Sequence, residues 1–286
     1  MDKQNLPTQT DKNFTEKLKS VVSSFIGTIN ADYNKAINEM AESPAISTED
    51  RYAAASLVGK EARRIRIRKK IAEKAASIPQ DDEAVNDEKP SDDWMNRFFG
   101  TVEDVSDEDM QNVWAQILAG EVKHPKSFSF MAIDVLRNMT KEDANLFVKA
   151  SKYICFRNFV ITEKECGIQL DDKIRLTDLR LLSPEDLKRQ VHITDKENVI
   201  DVTFTHAFKV VSPTGQPQQL QFEGRRLTQA GRELLSLVEK KENSVLLKYM
   251  IKKFRSVVPQ MSVHRISEWI EDGSFKYYVE PDSNYQ

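Results

Sequence analysis

The stretch WAQILAGEVKHPKSFSF, residues 114–130, lies near the middle of the chain and decides how its helical part is interpreted. Its first half is apolar, and Trp114, Ile117 and Leu118 have the spacing of one helical face. Its second half contains Gly120, Glu121, His124, Pro125, Ser127 and Ser129. The stretch is therefore either an active site or a packed helical corner that carries polar residues.

A metal site is the first interpretation of the polar half. Glu121 and His124 are three residues apart, which lets two side chains of one helix bind the same metal. Pro125 ends the helix at that point, and the chain contains no second Glu-x-x-His pair. The sequence therefore predicts no metal, no cofactor and no catalytic residue here, and a metalloenzyme is kept only as an alternative.

A packed corner is the interpretation that the spacing favours. Gly120 would permit close approach of another backbone, and Glu121 would be a buried carboxylate that accepts backbone hydrogen bonds from the start of the next helix. Ser127 or Ser129 would cap that helix, which is predicted over residues 130–138. Trp94, Phe98, Phe99 and Trp114 are expected in the core rather than in a ligand pocket.

Composition limits the class of protein. The 286 residues are 40% hydrophobic and 30% charged with only nine glycines, which favours helix and allows a substantial core. The net charge of −3 gives no general attraction to nucleic acid or to anionic membranes. A polar start without an export signal, together with two cysteines, predicts a cytoplasmic protein, and no apolar run is long enough for a transmembrane segment.

Four segments are predicted along the chain: N-terminal helices at 1–79, an acidic linker at 80–93, a three-helix core motif at 94–156 and an α+β domain at 157–286. Capping boxes that begin at Ser47, Ser106 and Thr140 each predict a helix start. The last segment is predicted to contain a helix from Ser183, a strand over 199–211, a helix after Thr228 and a C-terminal hairpin. The fold class is mainly α, a helical bundle followed by an α+β part with a winged-helix-like order of elements.

The most charged segment is RRIRIRKK, residues 63–70, within the second predicted helix. Its cations are Arg63, Arg64, Arg66, Arg68, Lys69 and Lys70. They would bind nucleic acid or a protein partner, or they would form a solvated face that the acidic linker neutralises until a partner displaces it. The amphipathic helix over 14–29 is expected to pack within the bundle or to dimerise, with peripheral membrane contact as the weaker alternative.

Three runs carry a resemblance to a known family: DDWMNRFF at 92–99, VSDEDMQNVWAQILAGEVKHPKSFSF at 105–130 and TKEDANLF at 140–147. They resemble a bacterial domain family of unknown function. The family usually has glycine where this chain has Lys126, and often arginine-threonine where it has Met131 and Ala132. The Trp-Ala-x-Ile-Leu-Ala part is also similar, more distantly, to the abortive-infection alpha domain. That likeness implies a role in phage defence, and neither resemblance implies catalytic residues.

Three hypotheses for function follow from the sequence. The first is a non-enzymatic interaction protein of phage defence that acts through a protein partner or as a homo-oligomer. The alternative is a nucleic-acid-binding protein that uses residues 63–70 and the winged-helix-like domain. The second alternative is an unrecognised hydrolase or metalloenzyme around Glu121 and His124.

Overall fold

The computed structural model describes residues 9–42, 47–79, 86–270 and 273–279. The chain divides into two compact units, Met1–Arg137 and Asn138–Gln286. The described part of the first unit is helical, as predicted, and contains α1 (Gln9–Glu42), α2 (Thr48–Ala76), α3 (Asp92–Val102), α4 (Glu108–Lys123) and α5 (Phe130–Arg137). No helix in the described ranges is long and apolar enough to cross a membrane.

The core of the first unit is built on aromatic side chains of α3 and α4. The Phe98 ring stacks on Trp94 at 5.1 Å between centroids and meets Trp114 edge-on at 5.7 Å. Phe99 and Leu118 are also buried. This packing confirms the expected core positions of the aromatic residues, because side chains three or four residues apart share a helical face.

The two long helices contribute to this core only along part of their length. Phe14, Leu18 and Val21 of α1 are buried at steps of four and three residues, as an apolar helical stripe requires. In α2, Ile71 and Ala75 are fully buried. Leu57, nearer the start of α2, is 56% exposed, so the buried side chains of this helix lie in its C-terminal half. Ile29, at the end of the predicted amphipathic helix over 14–29, lies outside the side chains that the structure describes.

The N-cap residues of the helices mostly agree with the sequence predictions, with one difference of a single residue. Ser47 accepts a hydrogen bond from the backbone N–H of Asp50, and Thr140 forms a reciprocal capping box with Asp143. The prediction for α4 is wrong by one residue, because Asp107 and not Ser106 accepts from the N–H of Met110. A charged carboxylate is the stronger acceptor at the positive end of a helix.

The second unit is α+β, as predicted. Its elements are α6 (Lys141–Ser151), β1 (Ile154–Cys155), β2 (Phe159–Glu163), β3 (Cys166–Gly167), α7 (Leu170–Asp178), β4 (Leu187–Ile193), β5 (Asn198–Asp201), β6 (His206–Val210), β7 (Gln218–Arg226), α8 (Gln229–Leu235), α9 (Ser244–Arg255), β8 (Ser262–Trp269) and β9 (Phe275–Val279). One antiparallel sheet has the order β1-β2-β7-β4 with β3 beside β2, and the other has the order β5-β6-β8-β9. The unit's core includes Phe208, Phe222 and Phe254, which are completely buried.

Two predicted elements of this unit are wrong. The helix expected from Ser183 is absent, and strand β4 begins at Leu187 instead, where it pairs with β7 along seven register positions. The single strand expected over 199–211 is the hairpin of β5 and β6. The chain turns because the Thr203 hydroxyl accepts from the backbone N–H groups of Thr205 and His206, a local bond that competes with the strand ladder.

The described structure places α6 in the second unit, whereas the sequence grouped it with α3 to α5 in one motif over 94–156. The compact-unit boundary at 137 and the end of the predicted motif at 156 differ because α6 packs against α7. The segment boundaries at 79, 93 and 156 stay predictions.

Candidate functional site

The corner after α4 is organised by the carboxylate of Glu121, which is 2% exposed. One oxygen accepts a hydrogen bond from the backbone N–H of Lys126 at 2.6 Å, and the other accepts from the N–H of Phe128 at 3.0 Å. Ser127 donates its hydroxyl to the carbonyl of His124 at 2.6 Å and so closes the same turn. The carboxylate thus holds the turn that precedes α5, which is a structural role.

Gly120 provides the space for this corner. A Cβ built on it would lie 2.8 Å from Cε2 of Phe128, which is closer than side chains tolerate. The predicted neighbour was another backbone, and the observed one is the Phe128 ring. The carbonyl of Phe128 in turn accepts from Nε1 of Trp94 at 2.7 Å. Pro125 lies beside this turn, and Ser129 accepts from the N–H of Ala132 to cap α5.

Lys126 has a backbone φ of 76°, in the left-handed region that favours glycine. This conformation gives a physical reason for the glycine that the resembled family usually carries at the position. The Lys126 ammonium extends to Glu88, 2.8 Å away, and this ion pair raises the pKa of Lys126. The strain at residue 126 therefore belongs to the turn and not to a reacting group.

The described structure brings no further candidate metal ligand to Glu121 and His124, the pair on which the metalloenzyme alternative rests. Both oxygens of Glu121 already accept backbone hydrogen bonds. Within the described ranges, no group of three or more histidine, cysteine, aspartate or glutamate side chains could hold a metal ion. Burial raises the pKa of Cys166 to about 11 and also raises the pKa of Cys155, which disfavours the nucleophilic thiolate in both.

The described end of the predicted acidic linker, residues 86–91, is mostly exposed but makes specific contacts with α1 and with the end of α4. The N–H of Asn86 donates to the carbonyl of Lys123 at 3.1 Å, and Pro90 is buried. Lys17 of α1 donates to the carbonyls of both Asn86 and Val122 at 2.5 Å, which places a cation at the C-terminus of α4. Residues 80–85 lie outside the described part, and the acidic linker over 80–93 stays a prediction.

Helix α2 divides the basic segment between two faces. Arg64 and Arg68, one turn apart, face the end of α3 and its following loop. Arg64 Nε lies 3.3 Å from Glu103, and the buried guanidinium of Arg68 forms a short ion pair with the same carboxylate. Glu61 lies 3.9 Å from both arginines. These two cations are therefore packing elements of the first unit.

The other face of α2 carries Arg63, Arg66 and Lys70, at positions i, i+3 and i+7 of the helix. All three are exposed, and among the described residues neither Arg63 nor Arg66 forms an ion pair. Lys70 lies 3.3 Å from Glu108, and its hydrogen bond and charge, followed by those of Lys74, lower the pKa of Glu108. We call Arg63, Arg66 and Lys70 the outer basic face.

A shallow groove of about 400 Å³ runs along the outer basic face. Ile67 forms its apolar floor, and Ser106 and Gln111 at the start of α4 form the opposite wall. Lys69 points elsewhere and pairs weakly with Glu73 at 3.9 Å. The helical periodicity of residues 63, 66 and 70 predicts that these cations share a face, but no sequence signal brings Ser106 and Gln111 beside them.

The expected shielding of the basic helix by the acidic linker is not observed in the described residues. The carboxylates that pair with α2 cations belong to Glu61, Glu73, Glu103, Asp104 and Glu108. None of the residues 86–88 does so, and these residues interact with α1 and the turn after α4 instead. The part of the hypothesis that concerns residues 81–85 lies outside the described residues.

Comparison with known proteins gives one finding. A family model described as a protein of unknown function, DUF2806, matches residues 58–159. The match includes most of α2 and the whole resembled motif, and it supports similarity to a domain family of unknown function. No curated protein and no solved structure matches the chain significantly. The likeness to the abortive-infection alpha domain stays a prediction.

Proposed function

We propose that this chain is a non-enzymatic binding protein whose outer basic face contacts the phosphates of a nucleic acid. The supporting observation is the division of the basic segment, in which two arginines are used for packing while Arg63 and Arg66 are exposed and unpaired with described carboxylates. If the cations served only solubility, no reason would exist for two of them to pair within the unit while two others remain exposed on one face.

Geometry also favours phosphate as the ligand group. From residue 63 to residue 70 the helix rises about 10 Å at ~1.5 Å per residue, so the three cations can contact successive phosphates of one strand. Guanidinium groups bind phosphate through two parallel hydrogen bonds, which makes arginine the preferred residue for this contact. The net charge of −3 means that attraction is local and should be sensitive to salt.

Binding of labelled single-stranded and double-stranded DNA oligomers, measured by fluorescence anisotropy over a series of salt concentrations, tests the proposal. Replacing both Arg63 and Arg66 with glutamine should weaken binding at least tenfold at low salt. It should also reduce the slope of log K against log salt by about 1.4 for single strands, at ~0.7 per phosphate contact.

The matched control is the double change Lys248→Gln and Lys252→Gln on exposed positions of α9, which alters the net charge equally. Equal loss of affinity in both variants would show attraction by overall charge and would overturn the proposal. So would the absence of any DNA or RNA binding by the unaltered protein at low salt.

A second candidate function is contact with a protein partner or a second copy of the chain, as part of phage defence. It is favoured by two large side chains on the N-terminal half of α2, Tyr52 and Leu57, which are 76% and 56% exposed. Replacing both with serine should lower the sedimentation-derived mass if they mediate self-association. Loss of phage protection in plating assays, with unchanged protein levels, would extend the role to defence. The cytoplasmic location and the winged-helix-like character of the second unit stay predictions.

A further inference from the structure

Strand β9 lies at the edge of the second sheet, and within the described residues it pairs only with β8. Its last three side chains, Tyr277, Tyr278 and Val279, are 44%, 52% and 66% exposed, and none of them is a charged residue. Successive side chains point to opposite faces of a strand, so β9 is exposed on both faces. Soluble proteins usually protect such an edge with charges, proline or a covering element, or they use it to pair with another chain.

The pairing of β8 determines which backbone groups of β9 point outwards. The N–H of Ile266 donates to the carbonyl of Thr205, on the side of β8 that faces β6. Ile266 lies opposite Tyr277 across the β8–β9 ladder. The two residues therefore do not bond each other, and the N–H and C=O of Tyr277 point away from β8. Strand alternation gives Phe275 and Val279 the same outward direction.

We propose that the outer edge of β9 pairs antiparallel with β9 of a second copy of the chain, about a two-fold axis at Tyr277. In this register Tyr277 lies opposite the partner's Tyr277, and Phe275 lies opposite the partner's Val279. The outward N–H and C=O groups of these residues then form hydrogen-bonded pairs, which is the geometry that an antiparallel ladder requires. Aromatic and β-branched side chains face each other across the axis, and such pairs stabilise sheets.

The charge pattern of β9 also fits a second copy. Lys276 is its only charged residue, and it lies 2.6 Å from Glu268 within the β8–β9 hairpin. In the proposed register Lys276 lies opposite the partner's Tyr278, so like charges do not face each other, and an ammonium group beside an aromatic ring is favourable. The proposal goes beyond the proposed function, because it uses neither the outer basic face nor Tyr52 and Leu57.

Sedimentation equilibrium at protein concentrations from about 1 to about 300 µM covers the range expected for a small, weak interface. The unaltered protein should pass from monomer to dimer and go no further. Val279→Pro removes an outward N–H and no bond to β8, which an edge strand tolerates. Because the axis duplicates the change, two hydrogen bonds are lost and the dimer should weaken at least tenfold. The control that replaces Tyr52 and Leu57 with serine should dimerise as the unaltered protein does.

Disulfide cross-linking with oxidised glutathione tests the register. Tyr277→Cys places two thiols across the axis, about 5.5 Å apart between Cα atoms, within reach of a disulfide. Tyr278→Cys is the matched control, because its two thiols would be offset along the strands and about 8 Å apart between Cα atoms, which is too far. Each cross-link joins two thiols and reduces one molecule of oxidised glutathione. Cys155 and Cys166 are buried and should not react. Only Tyr277→Cys should give a cross-linked dimer.

The unaltered protein offers a test that needs no replacement. Amide hydrogen exchange at Tyr277 and Val279, whose N–H groups face outwards, should slow at least tenfold between the lowest and the highest concentration. Exchange at Tyr278, whose N–H faces β8, should change much less.

Four outcomes would overturn the pairing of β9. They are a monomer at every concentration, a dimer that Val279→Pro retains, an open series of oligomers, and equal cross-linking at positions 277 and 278. A dimer that is lost only when Tyr52 and Leu57 are replaced would place self-association on α2. An open series would indicate a heterologous contact, such as β9 with β5 of another copy. None of these results depends on nucleic-acid binding, so the proposed function is tested separately.

Discussion

Replacing Glu121 with glutamine should destabilise the first unit by about 2–4 kcal/mol. The carboxylate is 2% exposed and accepts from two backbone N–H groups, at 2.6 and 3.0 Å. Hydrogen bonds to a charged group contribute about 1.5–3 kcal/mol each, and a neutral one about 1. Glutamine keeps one acceptor, so one bond is weakened, while its amide N–H₂ faces the second backbone N–H and leaves that donor unsatisfied.

Urea-induced unfolding followed by tryptophan fluorescence measures this loss. The chain contains three tryptophans, and Trp94 and Trp114 lie in the first unit while Trp269 lies in the second. A Trp269→Phe background therefore lets fluorescence follow the first unit alone, which matters because two units need not unfold together. The midpoint shift, multiplied by an unchanged m-value, gives the free energy of unfolding that is lost.

The control is Glu73→Gln, which makes the same change of charge on a side chain that is 66% exposed and lies 3.9 Å from Lys69. Its effect should stay within ~0.5 kcal/mol, as for most surface pairs. If Glu121→Gln shifts the midpoint no more than the control does, the carboxylate does not hold the turn, and Glu121 must be considered again as a functional group.

Three further predictions concern stability. Lys126→Gly should raise the free energy of unfolding by about 0.5–1 kcal/mol, since φ is 76° there, and an unchanged or lower urea midpoint would contradict this. Gly120→Ala should lower it by about 1–3 kcal/mol, because the new methyl would lie 2.8 Å from Phe128, and a neutral effect in the same assay would show that the ring moves freely. Hydrogen bonds from Arg175 lower the pKa of Asp143 from 3.8 to about 2. The ionised carboxylate therefore stabilises the second unit fully above about pH 3.8, and this stabilisation is lost as the pH falls towards 2 and Asp143 is protonated. In the Asp143→Asn variant, the free energy of unfolding should change by about 1–2 kcal/mol less across this pH window than in the unaltered protein. This figure allows for solvent screening of Arg175, whose side chain is 47% exposed. An unaltered pH profile would refute the assignment.

Local patterns were sufficient to predict most helices. Apolar spacing and capping residues lie within one or two turns of the elements they define, as at Ser47 and Thr140. The failures involve competition that is not local. Ser183 begins a helix pattern, yet the following residues pair with β7, some thirty positions away, and the sheet outweighs the helix signal.

The sequence predicted that the corner after α4 is packed around a buried carboxylate, but it did not predict the groove on α2. Glu121 follows a buried stripe and precedes a proline, so a buried carboxylate that accepts backbone bonds is the expected solution. Gln111 offers no comparable signal. In the folded unit α4 packs against α2, the Gln111 amide nitrogen donates to the carbonyl of Val105, and the amide oxygen has no hydrogen-bond partner among the described residues. Helical periodicity shows which residues of one helix share a face, but not which residues of another element contact them.

The two faces of α2 also determine how its function must be tested. Arg64 and Arg68 pair with Glu103 in the first unit. Breaking the buried Arg68–Glu103 pair would typically cost about 3–5 kcal/mol, whereas the Arg64 side chain is 41% exposed and contributes less. Neutralising every arginine of the segment, as the sequence alone suggests, would therefore confuse lost binding with lost folding. Arg63 and Arg66 make no such pair among the described residues, so only their replacement separates the two effects. Arg64 and Arg68 help to fix the position of α2, and that position presents the outer basic face along the groove.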